Sequence, residues 1–173
     1  MQTVGIIGAG AWGTALAQVI RAAGRDVTLW ARETELVSYM KTNHENNKFL
    51  PGIKIDPAIN VTESISEVTA CDVLLMVVPA QYLRSTLQTM KPSLRKDQPI
   101  LICSKGIEIE SGLLMTQVAE QEIPNQPIGV LTGPTFAAEI AKGLPSAMTL
   151  AYKDTSKGQE IIDALSSRNL RLY

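Results

Sequence analysis

Short apolar runs alternate along this chain with longer stretches in which apolar residues recur once per helical turn. Residues 4–7 form the first run. After it, Leu16, Val19, Ile20 and Ala23 fall at i, i+3, i+4 and i+7, the spacing of one helix face, and Gly24 is placed to stop that helix. Residues 27–30 predict a second strand and residues 33–41 a second helix. The polar stretch that follows carries Pro51-Gly52 and Pro57 and predicts a long loop. Residues 73–78 are the most apolar run, flanked by Asp72 and Pro79, and predict a central strand. Residues 100–103 and 128–131 predict further strands with a helix over 113–122 between them; residues 147–151 and 155–166 predict one more strand and one more helix.

Strands that are apolar on both faces and alternate with helices belong to a parallel sheet covered on both sides. The expected fold is therefore α/β, a Rossmann-like doubly wound, mostly parallel sheet with helices on both faces. No repeat, linker or low-complexity segment divides residues 1–173. Arg171-Leu172-Tyr173 reads as the start of a further strand directly after a helix, so the expectation is one domain of a longer protein.

Composition narrows the function. Of 173 residues, 45% are hydrophobic and 19% charged, a globular balance. The net charge of -1 offers no basic field for a nucleic-acid backbone, so an anionic ligand must be held by a few placed groups. Cys71 and Cys103 stand too far apart for a disulfide framework or zinc site and read as buried reduced thiols. The carboxylates show no metal-ligand spacing. The start lacks the basic stretch of a signal peptide, and no run of about 18 apolar residues is present to enter a membrane. A reducing cytoplasm is the expected compartment.

Gly8-Ala9-Gly10-Ala11-Trp12-Gly13 is G-x-G-x-x-G between a predicted strand and a predicted helix, the context in which this motif binds a dinucleotide. Gly8 serves the tight turn, Gly10 the close approach of a pyrophosphate, and Gly13 the packing of helix on strand. Free N–H groups at the helix start then face the phosphates. Trp12 stands at the mouth of that helix, placed for cofactor contact or burial. The second strand ends in Trp30-Ala31-Arg32-Glu33. Arg32 matches a 2′-phosphate as a bidentate partner, so NADP(H) is favoured, while Glu33 keeps NAD(H) possible. Lys105 follows the predicted strand 100–103, at the sheet edge where such folds bind ligands. Thr135 precedes an apparent helix and is placed to cap it. His44, the only histidine, lies in a polar loop and reads as a structural hydrogen-bonding residue.

Four further segments accompany the glycine motif: His44-Glu45-Asn46 leading to Phe49-Leu50-Pro51-Gly52, Val77-Val78-Pro79-Ala80-Gln81, Ser104-Lys105-Gly106-Ile107-Glu108, and Leu131-Thr132-Gly133-Pro134-Thr135-Phe136-Ala137-Ala138-Glu139. With the segment GAGAWGTALA from Gly8, they closely resemble, in order and over essentially the whole chain, the NAD(P)-dependent glycerol-3-phosphate dehydrogenases of bacterial type. That resemblance implies an N-terminal NAD(P)-binding domain whose helical substrate domain lies beyond Tyr173. It implies reversible hydride transfer between NAD(P)H and dihydroxyacetone phosphate, giving sn-glycerol 3-phosphate for glycerophospholipid synthesis. By the same resemblance Gly8, Gly10, Ala11, Trp12, Gly13, Arg32, Phe49, Lys105 and Ala137 lie at the cofactor, and Lys105, Gly133 and Thr135 at the substrate. Phe49 stands where such enzymes often carry tyrosine. Lys105 is an auxiliary catalytic group. The main acid/base lysine and a phosphate-clamping arginine belong to the C-terminal domain, so the chain alone is expected to bind cofactor with little turnover. The full-length protein is expected to be a homodimer. Three other readings share the motif: a β-hydroxyacid dehydrogenase, a non-catalytic dinucleotide sensor, and a flavin protein, the last disfavoured because an acidic residue is expected at the end of the second strand, where Ala31 and Arg32 stand.

Overall fold

A computed structural model describes residues 1–173. The chain runs β1 (Thr3–Ile7), α1 (Ala11–Ala22), β2 (Asp26–Trp30), α2 (Thr34–Asn43), β3 (Glu45–Asn46), β4 (Leu50–Lys54), β5 (Asn60–Thr62), α3 (Ile65–Thr69), β6 (Val73–Met76), α4 (Leu83–Met90), β7 (Ile100–Ile102), α5 (Met115–Glu122), β8 (Ile128–Thr132), α6 (Ala137–Ala141), β9 (Ser146–Tyr152), α7 (Thr155–Leu165) and β10 (Leu170–Leu172). Eight strands form one sheet in the order β10-β9-β8-β7-β6-β1-β2-β5. From β5 to β8 every pairing is parallel; β9 runs antiparallel to β8, and β10 pairs parallel with β9.

The sheet separates two cores, as the doubly apolar strands require. Leu75 of β6 joins Val4, Ile6 and Leu29 under α1, α2, α6 and α7, where Leu16, Ile20, Met40, Ile140 and Ile161 meet them. Its neighbours Leu74 and Met76 point the other way, to Val68 of α3, Leu83 and Leu87 of α4 and Val118 of α5. All are buried, and each such side chain contributes roughly 1.5–3 kcal/mol relative to exposure.

Gly24 does end α1: it takes φ +83° and its N–H donates to Arg21 O at 2.9 Å. α7 is capped by Asp154, whose carboxylate accepts the Lys157 N–H at 2.9 Å, the usual service of an aspartate to the free donors of a helix start. The expected long loop after α2 is a correction. It holds the β3–β4 hairpin and the edge strand β5, which pairs with β2. β4 contains Pro51 and Gly52 and lies in a separate two-stranded ribbon, where no central ladder needs the missing proline N–H. The predicted strand 73–78 is shorter, because the chain leaves the ladder at Val77 to pass over the carboxyl edge.

This topology has one consequence for binding. The chain builds outward from β1 through β2, then crosses back to β6 on the other side of β1. The crevice of such a sheet opens above the carboxyl ends on either side of that reversal. The glycine motif, Arg32, Pro79 and Lys105 all follow strands that end there.

Candidate functional site

Gly8 leaves β1 at φ +117°, and a Cβ there would lie 2.9 Å from the Val77 carbonyl oxygen. The turn brings the Gly8 carbonyl against α1 so closely that a Cβ on Gly13 would sit 1.8 Å from its oxygen. Gly13 therefore serves chiefly the contact of the helix with the turn itself. Gly10 differs: nothing lies within 4 Å of the position its Cβ would occupy. It is also the N-cap of α1, with no side-chain cap and no acidic residue in the first turn. The N–H groups of Gly10, Ala11 and Trp12 find no acceptor in the chain. An uncapped helix start beside open space is a site for an anion.

A cavity of about 790 Å³ spreads over this start and the neighbouring strand ends. Gly8, Gly10, Ala11, Trp12, Arg32, Phe49, Lys105, Thr135 and Ala137 line it. Gly13 lies beneath as a packing residue, and Gly133 takes part through its carbonyl, which accepts from Lys105 Nζ at 3.4 Å. Two of its lining residues carry buried polar atoms without partners, Trp12 Nε1 and Thr135 Oγ1. A buried group left unpaired costs about 1–3 kcal/mol, so a bound molecule that supplies partners is favoured. The fit with a dinucleotide rests on these orphans and on the open face of Gly10.

Arg32 is held loosely. Its side chain is 71% exposed, its nearest carboxylate oxygen is on Glu33 at 3.8 Å, and its guanidinium lies 5.8 Å from the centre of the Tyr82 ring. An arginine with so little commitment within the protein is free to meet a phosphate. Cys103 also lines the cavity, but burial pushes its thiol up to about 12; it stays protonated and unreactive at neutral pH. No group of three or more His, Cys, Asp or Glu side chains gathers anywhere to hold a metal.

The loop carrying Lys105 is clamped on both sides. Before it, Ser104 Oγ donates to the Val78 carbonyl at 2.5 Å, tying β7 to the end of β6. After it, Gln81 donates to Ile107 O at 2.8 Å and accepts from Ile109 N at 3.0 Å. Arg84 grips Glu108 with two bonds of 2.9 and 2.7 Å and also pairs with Glu122 of α5. The Arg84 guanidinium and the Ser111 hydroxyl hold the Glu108 carboxyl down to about 2, below its ordinary value of 4.5. A carboxylate whose folded-state value is depressed stabilises the fold fully above its unfolded value and loses that contribution as pH falls through the folded one. Acid is thus expected to weaken this clamp between pH 4.5 and about 2. Glu108→Gln should flatten that part of a plot of unfolding midpoint against pH; parallel acid limbs for the two proteins would show that the clamp is not coupled to folding.

Thr135 is not the helix cap expected of it. α6 begins one residue later, with Phe136 at the N-cap and no side-chain bond there, which leaves the buried Thr135 hydroxyl without a partner. His44 sits at the C-cap of α2 in a left-handed conformation, φ 49°, outside the cavity lining. Sequence reasoning gave no role to Asn46, Gln81, Arg84 or Glu108. Three of them lie inside the quoted motifs, and their signal was polar residues at fixed places beside a strand end; Arg84 had none.

The fold and the glycine turn define a dinucleotide-binding α/β domain. Residues 3–158 match the family described as NAD-dependent glycerol-3-phosphate dehydrogenase N-terminus, and the chain belongs to that family. The glycerol-3-phosphate dehydrogenase [NAD(P)+] of Paramagnetospirillum magneticum is 47% identical over 173 residues, 100% of this chain and 63% of that protein. That of Maricaulis maris is 48% identical over 172 residues, covering 99% and 52%. The crystal structure of glycerol-3-phosphate dehydrogenase from Coxiella burnetii superimposes with a TM-score of 0.92 at 30% identity, over 99% of this chain and 53% of that one. The chain thus spans between half and two thirds of the length of these relatives. No helix is long and apolar enough to cross a membrane.

Proposed function

We propose that residues 1–173 form the cofactor-holding domain of an NAD(P)-dependent glycerol-3-phosphate dehydrogenase, acting between dihydroxyacetone phosphate and sn-glycerol 3-phosphate. The observation that carries this reading is a single cavity lined by the uncapped start of α1, by Arg32, and by Lys105 and Thr135. Gly10, Ala11 and Trp12 would hold the pyrophosphate, Arg32 the adenosine end, and Phe49 and Ala137 further parts of the cofactor. Gly133, Thr135 and Lys105 would meet the substrate. When bound, the nicotinamide supplies the hydride chemistry; the protein supplies orientation and charge. Lys105, whose ammonium makes only a long bond to a carbonyl, favours negative charge as a substrate oxygen becomes an alkoxide. We place the principal proton donor in a helical C-terminal domain of the longer protein, which we read as a cytoplasmic homodimer; the two buried free thiols fit a reducing compartment.

The direct test is titration of the chain with NADPH and NADH, followed by tryptophan fluorescence. Trp12 and Trp30 both line the cavity, so binding is expected to quench, and silence with both cofactors would overturn the reading. Within it, NADPH is preferred. Arg32→Ala should weaken NADPH by about 1.5–3 kcal/mol, the worth of a hydrogen bond to a charged group, and NADH much less. Equal losses would remove Arg32 from the 2′-phosphate.

A further inference from the structure

The motif His44-Glu45-Asn46 lies outside the cavity lining, yet it is built as a device. His44 closes α2, its N–H donating to Met40 O at 2.9 Å. Glu45 accepts from the Gly52 N–H and from Lys54, both at 3.0 Å, which fixes the β3–β4 hairpin. Asn46 is fully buried. Its Nδ2 donates to the Ala9 carbonyl and to Thr14 Oγ1, each at 2.8 Å, and its Oδ1 accepts from the Phe49 N–H at 3.0 Å. Both amide donors and one acceptor site are thus in use.

Two of the three partners, Ala9 and Phe49, belong to the cofactor site, and the third, Thr14, lies outside its lining. Ala9 is the middle of the glycine turn, Thr14 lies in the first turns of α1, and Phe49 is a wall of the cavity. The bond to Ala9 has a geometric consequence. In a trans peptide the C=O and the following N–H point in opposite directions across one rigid plane. Fixing the Ala9 oxygen on Asn46 therefore turns the Gly10 N–H away from Asn46. That N–H has no acceptor in the chain, and Gly10 itself faces open space. We propose that Asn46 is a positioning residue for the dinucleotide: it sets the Ala9–Gly10 peptide so that its N–H meets the pyrophosphate, and it seats Phe49 on the same cavity. This rests on the cofactor reading above.

A buried asparagine that merely docks the hairpin would affect every ligand of the cavity alike. A positioning residue affects the one that carries a pyrophosphate. NADPH and adenosine 2′-phosphate, which lacks the pyrophosphate, are therefore titrated into the unaltered chain, Asn46→Ser and Thr14→Val. Asn46→Ser is expected to weaken NADPH about tenfold or more and to leave adenosine 2′-phosphate within about threefold. Thr14→Val keeps the bond to Ala9 and should leave both ligands within about threefold. Equal losses for the two ligands in Asn46→Ser, unchanged NADPH affinity in it, or a tenfold loss in Thr14→Val would each overturn the proposal. The same contrast is read without any variant, in case Asn46→Ser does not fold: the side-chain amide resonance of Asn46 should move with NADPH and stay with adenosine 2′-phosphate. A resonance that ignores NADPH, or follows both ligands alike, overturns it. An unaltered chain that binds neither ligand overturns the cofactor reading instead.

Discussion

Gly13→Ala is expected to abolish dinucleotide binding and to destabilise the fold by about 3 kcal/mol, near the upper end of the usual cost of overpacking. The added methyl would stand 1.8 Å from the Gly8 carbonyl oxygen and 3.0 Å from its carbon. Both are backbone atoms, so no side-chain rotation can relieve the overlap. Either α1 withdraws from the turn or the turn is pushed off β1, and each moves the N–H groups that face the cavity. Gly10→Ala is the control in the same motif. Its methyl meets nothing within 4 Å, so the fold should lose no more than about 1 kcal/mol, the usual disadvantage of alanine at an N-cap. Yet that methyl occupies the face a pyrophosphate would approach. Denaturant unfolding paired with NADPH titration separates the two: one variant unstable and inert, the other stable and weakened in binding. A Gly13→Ala protein as stable as the unaltered chain would contradict the observed packing, and full NADPH affinity in Gly10→Ala would contradict the ligand's approach.

How far such features can be read without coordinates depends on which interaction sets them. β1, β6 and β7 were legible because parallel strands buried on both faces leave continuous apolar runs, and β2 and β8 because their buried alternate residues are apolar. Gly24 was legible because a glycine directly after a helical apolar stripe suits the left-handed end of a helix, here at φ +83°. The hairpin around Pro51 and the edge strand β5 were not. Their backbone pairs with one neighbour at most, so their side chains need no apolar pattern, and proline next to glycine reads as a loop. β9 was found but not its direction: pairing sense is a long-range property, and a strand of seven residues with only Met148 buried carries no sign of it. At the site, the residues that would touch ligand were visible through their motifs. The residues that hold them in place, Asn46, Gln81, Arg84 and Glu108, reach partners 24 to 38 positions away in sequence, a distance that no local spacing encodes. Thr135 shows the opposite error: a local rule assigned it a cap, and the chain entered α6 one residue later.

Removing the Lys105 ammonium by Lys105→Met in the longer protein should lower kcat/KM about 10²–10³-fold, the usual effect of deleting one electrostatic stabiliser of a developing oxyanion. The reasons lie in how the side chain is held. Its backbone is pinned by Ser104 on one side and by the Gln81 and Arg84 clamps on the other, yet its Nζ is committed only to a 3.4 Å bond with the Gly133 carbonyl. A fixed base carrying an uncommitted charge favours an oxygen that turns negative during reaction more than one that is already paired. The loss should therefore appear in kcat, with NADPH affinity of residues 1–173 changed by less than about tenfold. Lys105→Arg keeps the charge but replaces a compact ammonium with a planar fork of different reach and geometry, so it should restore only part of the rate. Steady-state kinetics on the longer protein, set beside cofactor titrations on this chain, read both quantities. A kcat close to that of the unaltered enzyme in Lys105→Met would assign Lys105 to ligand binding alone and leave the alkoxide to other groups.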